Sequence, residues 1–401
     1  MVIRSLVMGF AALVLLVRAA PAGAVELADG KLNVSGFGRW VYGDSDGNAY
    51  HVARDEPKAD TMVVNLNVFA RPYERLALAA QFYWEPSRAN VDWAFAEWRF
   101  ADALRFRAGQ VKLPFGAYWE VKDVGTLRPF TGMPLSVYSY ADLAAESYYG
   151  LGVNGSLPPF GPIELSYDAY AGTMWVESTD RFRAAPAAPA AGTVQLATPS
   201  QAAQTINTRV DQTYGGRLTA ALAPLGLTLR LSGYRGEVAE LQQSQGAPAG
   251  TAFYAYGVSV AYLGEHVEVR SEAFRKSEGE GPSRQEIETA YVEAAVRFLE
   301  HWQLAGRAEA AHYDLASPAL ANLPSSLRRH EELAAGLNYW FNSDFVLKLS
   351  HHWVNGNRFA VPEYAWNAAT TNGTAAPPTD PPDIAYEART RALIFSAQFS
   401  F

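Results

Sequence analysis

The chain contains no cysteine in 401 residues. That excludes a disulfide framework, a cysteine-attached haem and a thiolate metal site. Long apolar runs are missing too: no stretch reaches the ~18 consecutive apolar residues that a membrane-spanning helix needs. Basic residues are the minority, 33 Lys and Arg against 41 Asp and Glu, and the net charge of -8 argues against nucleic acid as a partner. What is present is a mean hydropathy of only -0.10 beside 13% aromatics, with 10 Trp, 21 Tyr and 20 Phe. A modest mean with many aromatics is what results when lipid-facing and water-facing residues alternate.

Residues 1–24 read as a secretory signal peptide: Arg4 gives a positive start, Ser5 to Val17 is a short apolar run, and Ala22-Gly23-Ala24 is a cleavage site. The mature chain is expected from Val25. Its last stretch, Arg391 to Phe401, alternates strictly. Leu393, Phe395, Ala397, Phe399 and Phe401 share one parity; Ala392, Ile394, Ser396, Gln398 and Ser400 share the other. A period of two is a strand. A terminal aromatic strand left unpaired is a sticky edge, and pairing on both sides to close a barrel removes that edge.

The same alternation recurs in about sixteen segments of roughly ten residues, the length of a tilted membrane strand. They run from Lys31–Gly43 through hairpins such as Leu333–Phe341 with Phe345–Trp353. Turns inside hairpins are short (Arg71–Arg75, Ala101–Ala103, Asn342–Asp344). Linkers between hairpins are long: Asp44–Asp60, Leu113–Glu146, Thr173–Thr213 and Asn355–Thr390. Short turns on one rim and long loops on the other are the pattern of an all-β transmembrane antiparallel barrel. Residues 25–401 read as one such barrel, and Ala184–Gly192 and Ala375–Asp383 as mobile extracellular loops.

The terminal Phe401 strand resembles the closing strand of Gram-negative outer-membrane porins. Gly109, Lys112, Pro114, Phe115 and Gly116 resemble a porin segment placed before the loop that folds into the lumen. The resemblance implies a cell outer-membrane location, Phe399 and Phe401 as an assembly signal for the barrel-assembly machinery, a homotrimer embedded in lipid, and passive diffusion of small solutes or ions. It implies no cofactor and no catalysis. Pro114 cannot donate to a ladder and Gly116 permits a sharp turn, so residues 113–146 are expected to leave the wall and narrow the pore.

Charge is cheap in a wet lumen and costly toward lipid. On the inward parity stand Arg39, Arg99, Arg105, Arg107, Arg217, Arg230, Arg297, Arg307 and Lys348, and also Glu97, Glu164, Asp168, Glu268, Glu272, Glu293 and Glu309. Cross-strand pairing is expected for Glu293, Arg297, Arg307 and Glu309. Lys112 and Arg128 flank the loop, which brings Glu120, Asp123, Asp142 and Glu146. Arg99, Arg105 and Arg107 are expected opposite those acids at the constriction, with Arg217 and Arg230 away from the root of the loop. A weak excess of inward arginine leans toward anions.

Other readings remain. Gly150 to Gly155 matches G-x-G-x-x-G, but alternation runs through it and Pro158-Pro159 follow instead of a helix. His330-Glu331-Glu332 begins like a metalloprotease motif without its second histidine. No spacing singles out a Ser–His pair for a barrel enzyme. A barrel sheathing a partner protein, as in an electron conduit, stays open.

Overall fold

The computed structural model describes residues 24–46, 48, 50–52, 58–86, 88–138, 143–179, 205–241, 250–281, 284–315, 325–356, 358–360 and 388–401. The proposed signal peptide and the Ala184–Gly192 and Ala375–Asp383 loops lie outside the described residues, apart from Ala24.

A three-residue strand, β1 (Val25–Leu27), precedes sixteen longer ones: β2 (Leu32–Asp46), β3 (Lys58–Tyr73), β4 (Leu76–Glu85), β5 (Arg88–Ala101), β6 (Leu104–Lys112), β7 (Ser147–Ser156), β8 (Ile163–Thr179), β9 (Thr205–Leu222), β10 (Leu227–Leu241), β11 (Ala252–Leu263), β12 (Val267–Glu278), β13 (Gln285–Phe298), β14 (Trp302–Leu315), β15 (Arg329–Trp340), β16 (Phe345–Asn355) and β17 (Arg389–Ser400). Each pairs antiparallel with its sequence neighbour, and β17 pairs with β2, so β2–β17 form a closed ring without edges. No helix among the described residues is long and apolar enough to cross a membrane.

The closure explains the terminal alternation. The Gly36 and Phe401 backbones exchange two hydrogen bonds, 2.8 and 2.9 Å. The Phe401 and Phe399 rings lie where a Cβ on Gly36 or Gly38 would stand, at 2.5 and 2.3 Å. Only glycine lets the closing aromatics lie flat on β2. Outward residues form an apolar band, with Trp98, Phe100, Phe298 and Trp302 near the short turns and Trp84, Tyr256 and Trp353 toward the long loops, all exposed. These are the two interfacial girdles of a membrane barrel.

Two expectations are corrected. Several strands outrun the segments read from periodicity: β8 and β9 pair from Gly172 on to Thr179 and from Thr205. Backbone pairing continues beyond the ~10 residues a membrane strand needs, where the two faces no longer differ in solvent and alternation fades. The lumen is also not wholly wet. Leu113, Phe115, Val137 and Leu143 pack with inward Tyr170, Met174, Tyr234, Phe253, Phe274 and Tyr291 in one buried apolar cluster. Each fully buried apolar side chain contributes about 1.5–3 kcal/mol. The G-x-G-x-x-G stretch lies within β7, paired on both sides with no helix following.

Candidate functional site

After β6 the chain turns inward at Pro114-Phe115-Gly116. Gly116 has φ +65, and a Cβ there would meet the Tyr138 hydroxyl at 2.5 Å and Glu272 Oε1 at 2.8 Å. Phe115 is fully buried, stacked on Phe274 at 4.5 Å between ring centres. Residues 113–138 then cross the barrel to the wall made by β12–β17. The Ala117 N–H donates to Glu272 (2.8 Å), and the Ala117 and Tyr118 N–H groups donate to the Tyr138 hydroxyl (2.9 Å each). The Tyr138 hydroxyl in turn donates to Glu272. Tyr118 donates to Glu293 (2.6 Å), the Ser136 N–H to Glu309 (2.7 Å) and Asn338 to the Pro129 carbonyl (2.8 Å). Thr131 and Ser396 share a bond of 2.6 Å. A short helix, α1 (Leu135–Tyr138), sits against β12–β14. Each backbone group carried into the lumen by this irregular segment needs such a partner.

The opposite flank of the loop carries its charge. Lys112 on β6 pairs with Asp123 and lies 3.9 Å from Glu146, and Lys122 closes on Glu146. Gln81 donates to Asp123 at 2.8 Å. Burial works against the Asp123 carboxylate, yet Lys112 and Lys122 outweigh it and hold its pKa at about 2. Glu120 pairs with Arg217, which also binds Asp168 at 2.9 Å. Asp168 lies 3.8 Å from Arg107, itself bound to Glu97 at 2.7 Å. The signs therefore alternate from the β5 wall to Glu120 on the loop. Burial would raise the Glu120 carboxyl, but Arg217 overrides it and leaves it lowered.

Two lumen cavities meet at the loop. One, of about 150 Å³, is lined by Arg39, Asn65, Tyr83, Lys122, Asp123 and Arg128. The other, of about 290 Å³, reaches the short-turn rim past Arg128, Glu268, Arg270 and Arg297. Arg128 lines both. Burial, and then the nearby Arg39, pull its guanidinium down to about 10.

Several sequence expectations are relocated. Arg99 and Arg105 are not at the constriction: they sit by the β5–β6 turn and pair with Asp102, Arg105 at 3.8 Å. Arg217 is not away from the root of the loop: it sits on β9, joined to β6 through Asp168 and Arg107, and pairs with Glu120, four residues past the Gly116 turn. Arg230, on β10, acts on Glu120 through its charge. Arg307 and Lys348 do not line water; both are buried and pin the loop. Arg307 donates to the Gly132 carbonyl (3.0 Å), and Lys348 to the carbonyls of Gly125 (2.7 Å) and Arg128. Arg307 is within 3.4 Å of Glu293 and 3.8 Å of Glu309. Arg297 instead lies over the Trp340 ring at 5.0 Å. Glu164 is exposed near the β7–β8 turn. Asp142 lies outside the described residues. Lys122, Arg270, Tyr118 and Tyr138 were missed. Three of them lie in an aperiodic segment, whereas Arg270 shares the inward parity of Glu268 and Glu272.

The described residues also place Ser350, His352 and Glu332 in a line, with Ser350 Oγ 2.8 Å from His352 Nε2 and His352 Nδ1 2.9 Å from Glu332. All three are buried. Asp92, Asp123 and Glu146 converge as well, but Lys112 and Lys122 already occupy the last two.

No protein-family profile matches the chain, and no curated protein sequence matches it. Solved structures do. OmpT, an outer membrane protein of Vibrio cholerae also described in a trimer form, aligns over 95% of this chain and 100% of its own at 10% identity, TM-score 0.56. OmpF of Salmonella typhi, in complex with daunomycin, aligns over 94% and 100% at 12% identity, TM-score 0.55. The anion-selective porin of Comamonas acidovorans aligns over 92% and 99% at 10% identity, TM-score 0.51. The fold is that of the outer-membrane porins.

Proposed function

We propose that the chain is an outer-membrane channel for passive diffusion of small hydrophilic solutes and ions, with a lean toward anions, and that it works without catalysis. The carrying observation is the imbalance of partners around the loop. Asp123, Glu146, Glu120, Asp168, Glu97 and Glu268 each have a cationic partner. Among the described residues, Arg39, Arg128, Arg230 and Arg297 face no carboxylate within salt-bridge distance. Paired charges cancel at the scale of an ion's passage; the acids in excess elsewhere in the lumen, Asp92, Glu272 and the Glu293–Glu309–Glu332 group, line neither cavity at the loop, whereas Arg39, Arg128 and Arg297 do and leave a positive field in that narrow water. The outer-membrane location and the homotrimer rest on the likeness to porins. Liposome swelling tests the reading: proteoliposomes should swell in isotonic pentoses and hexoses and lag for trisaccharides. Absence of swelling with any sugar would overturn it.

The Ser350–His352–Glu332 line favours a second reading, a barrel hydrolase. Its burial opposes that reading, since a nucleophile must meet its substrate. A fluorophosphonate probe should leave the folded barrel unlabelled; stoichiometric labelling lost in Ser350→Ala would establish the hydrolase instead.

A further inference from the structure

The extracellular half of the lumen holds a buried cluster that the channel reading does not use. Glu309 on β14 and His330 and Glu332 on β15 are at most 5% exposed, and their ligand atoms all lie within 4.8 Å of one another. His330 Nε2 is 3.6 Å from Glu309 Oε1 and 4.0 Å from Glu332 Oε2. Those separations are too long for hydrogen bonds, which fall at 2.7–3.2 Å. Neither ring nitrogen of His330 nor Oε1 of Glu309 has a hydrogen-bond partner among the described residues, a costly state for buried polar atoms. Two ligand atoms bound tetrahedrally to one zinc-like ion at about 2.0–2.2 Å lie ~3.4 Å apart, close to the 3.6 Å pair and within a small side-chain shift of the 4.0 Å pair. The spacing suits an ion between them better than direct contact.

The surroundings hold the ligands in place. The Tyr50 hydroxyl donates to Glu332 Oε2, while His352 Nδ1 (2.9 Å) and Arg307 (3.1 Å) hold Oε1. The Ser136 N–H holds the second oxygen of Glu309 at 2.7 Å. Supporting bonds of this kind orient metal ligands. Charge points the same way. Arg307 is the single guanidinium within salt-bridge distance of Glu293, Glu309 and Glu332 among the described residues. Three buried carboxylates against one such cation leave two negative charges, which a divalent ion matches.

We infer that Glu309, His330 and Glu332 form a site for a first-row divalent cation of the zinc class, buried where β14, β15 and the Tyr50–Val52 segment meet. Imidazole with carboxylates suits zinc and its first-row neighbours. Because the site joins the wall to the first long loop, the ion stabilises the extracellular half of the barrel.

The test uses the folded full-length barrel in detergent, stripped by chelator and titrated with Zn²⁺ by calorimetry. One Zn²⁺ per chain is expected. His330→Ala and Glu309→Gln should each weaken binding at least ~10-fold, while His266→Ala, at an exposed turn, should not. Co²⁺ provides a readout independent of the variants: wild-type protein should give intense visible bands of four-coordinate cobalt that Zn²⁺ abolishes. No Zn²⁺ uptake, a Co²⁺ spectrum like that of the free ion, or undiminished binding by heat-modifiable His330→Ala would overturn the inference.

Discussion

Arg217→Glu reverses the charge that faces Glu120 of the loop. Its guanidinium bridges Glu120 on the loop and Asp168, its register partner on the adjacent strand β8, so it stands where the loop leaves the wall. At ~7 Å a unit charge changes an ion's energy by about 0.6 kcal/mol in bulk water and about 2.4 kcal/mol at an effective dielectric of ~20. Screening in ~0.1 M salt roughly halves both figures. Reversal counts twice, so the barrier moves by about 0.6–2.4 kcal/mol, in opposite senses for cations and anions. Because the two ions move oppositely, the cation-to-anion permeability ratio changes by twice that and should rise at least about sevenfold. The assay is the reversal potential in a KCl gradient across a planar bilayer. Arg105→Glu is the control, because Arg105 sits with exposed Asp102 at the rim, and it should shift the potential far less. An Arg105→Glu shift equal to or larger than that of Arg217→Glu would refute the placement of the constriction.

Lys348→Met leaves the Arg128 carbonyl without its buried donor, at about 1–3 kcal/mol, and takes one of two donors from the Gly125 carbonyl, which keeps the Arg128 N–H at 3.1 Å. It should lower the heat-modifiability transition and add open-channel noise; an unchanged transition would mean that the loop is held elsewhere. Deleting Phe401 removes two backbone bonds to Gly36 worth about 1 kcal/mol each, too little to unfold a closed ladder. A steep loss of inserted barrel would therefore mark an assembly signal, and normal levels in the outer membrane would count against it. The lowered pKa of Asp123 stabilises the Lys112–Asp123–Lys122 clamp above pH ~4, with the contribution lost as pH falls through about 2. Closing events should stay constant from pH 7 to pH 4 and rise only below; a transition at pH 5–6 would contradict the clamp.

The barrel was legible because its physics is local. Alternation reports which solvent each face meets, and Leu393, Phe395 and Phe399 could face only lipid or a core. The inward-turning loop was legible from Pro114 and Gly116, whose backbone limits do not depend on context. Its path was not, because residues 117–138 have no period and their partners lie on strands up to ~270 residues away. That is why Arg217 was placed away from a loop that reaches it, and why Lys348 and Arg307 read as pore charges when each is buried against loop carbonyls. The dry side of the lumen left a signal: Tyr170, Phe274 and Tyr291 share the parity of Asp168, Glu272 and Glu293. Inward aromatics beside inward acids mark where the wall meets protein instead of water.

The most direct test of an aqueous path narrowed by the inward loop uses the absence of cysteine. Glu120→Cys places a unique thiol on the loop beside Arg217, on a side chain that is 40% exposed. Single channels are recorded before and after a bulky cationic thiosulfonate reagent, with labelling confirmed by mass. Discrete conductance steps that drop to a lower level on labelling are the predicted result. Complete labelling with unchanged current, or no steps from the folded barrel at all, would contradict it.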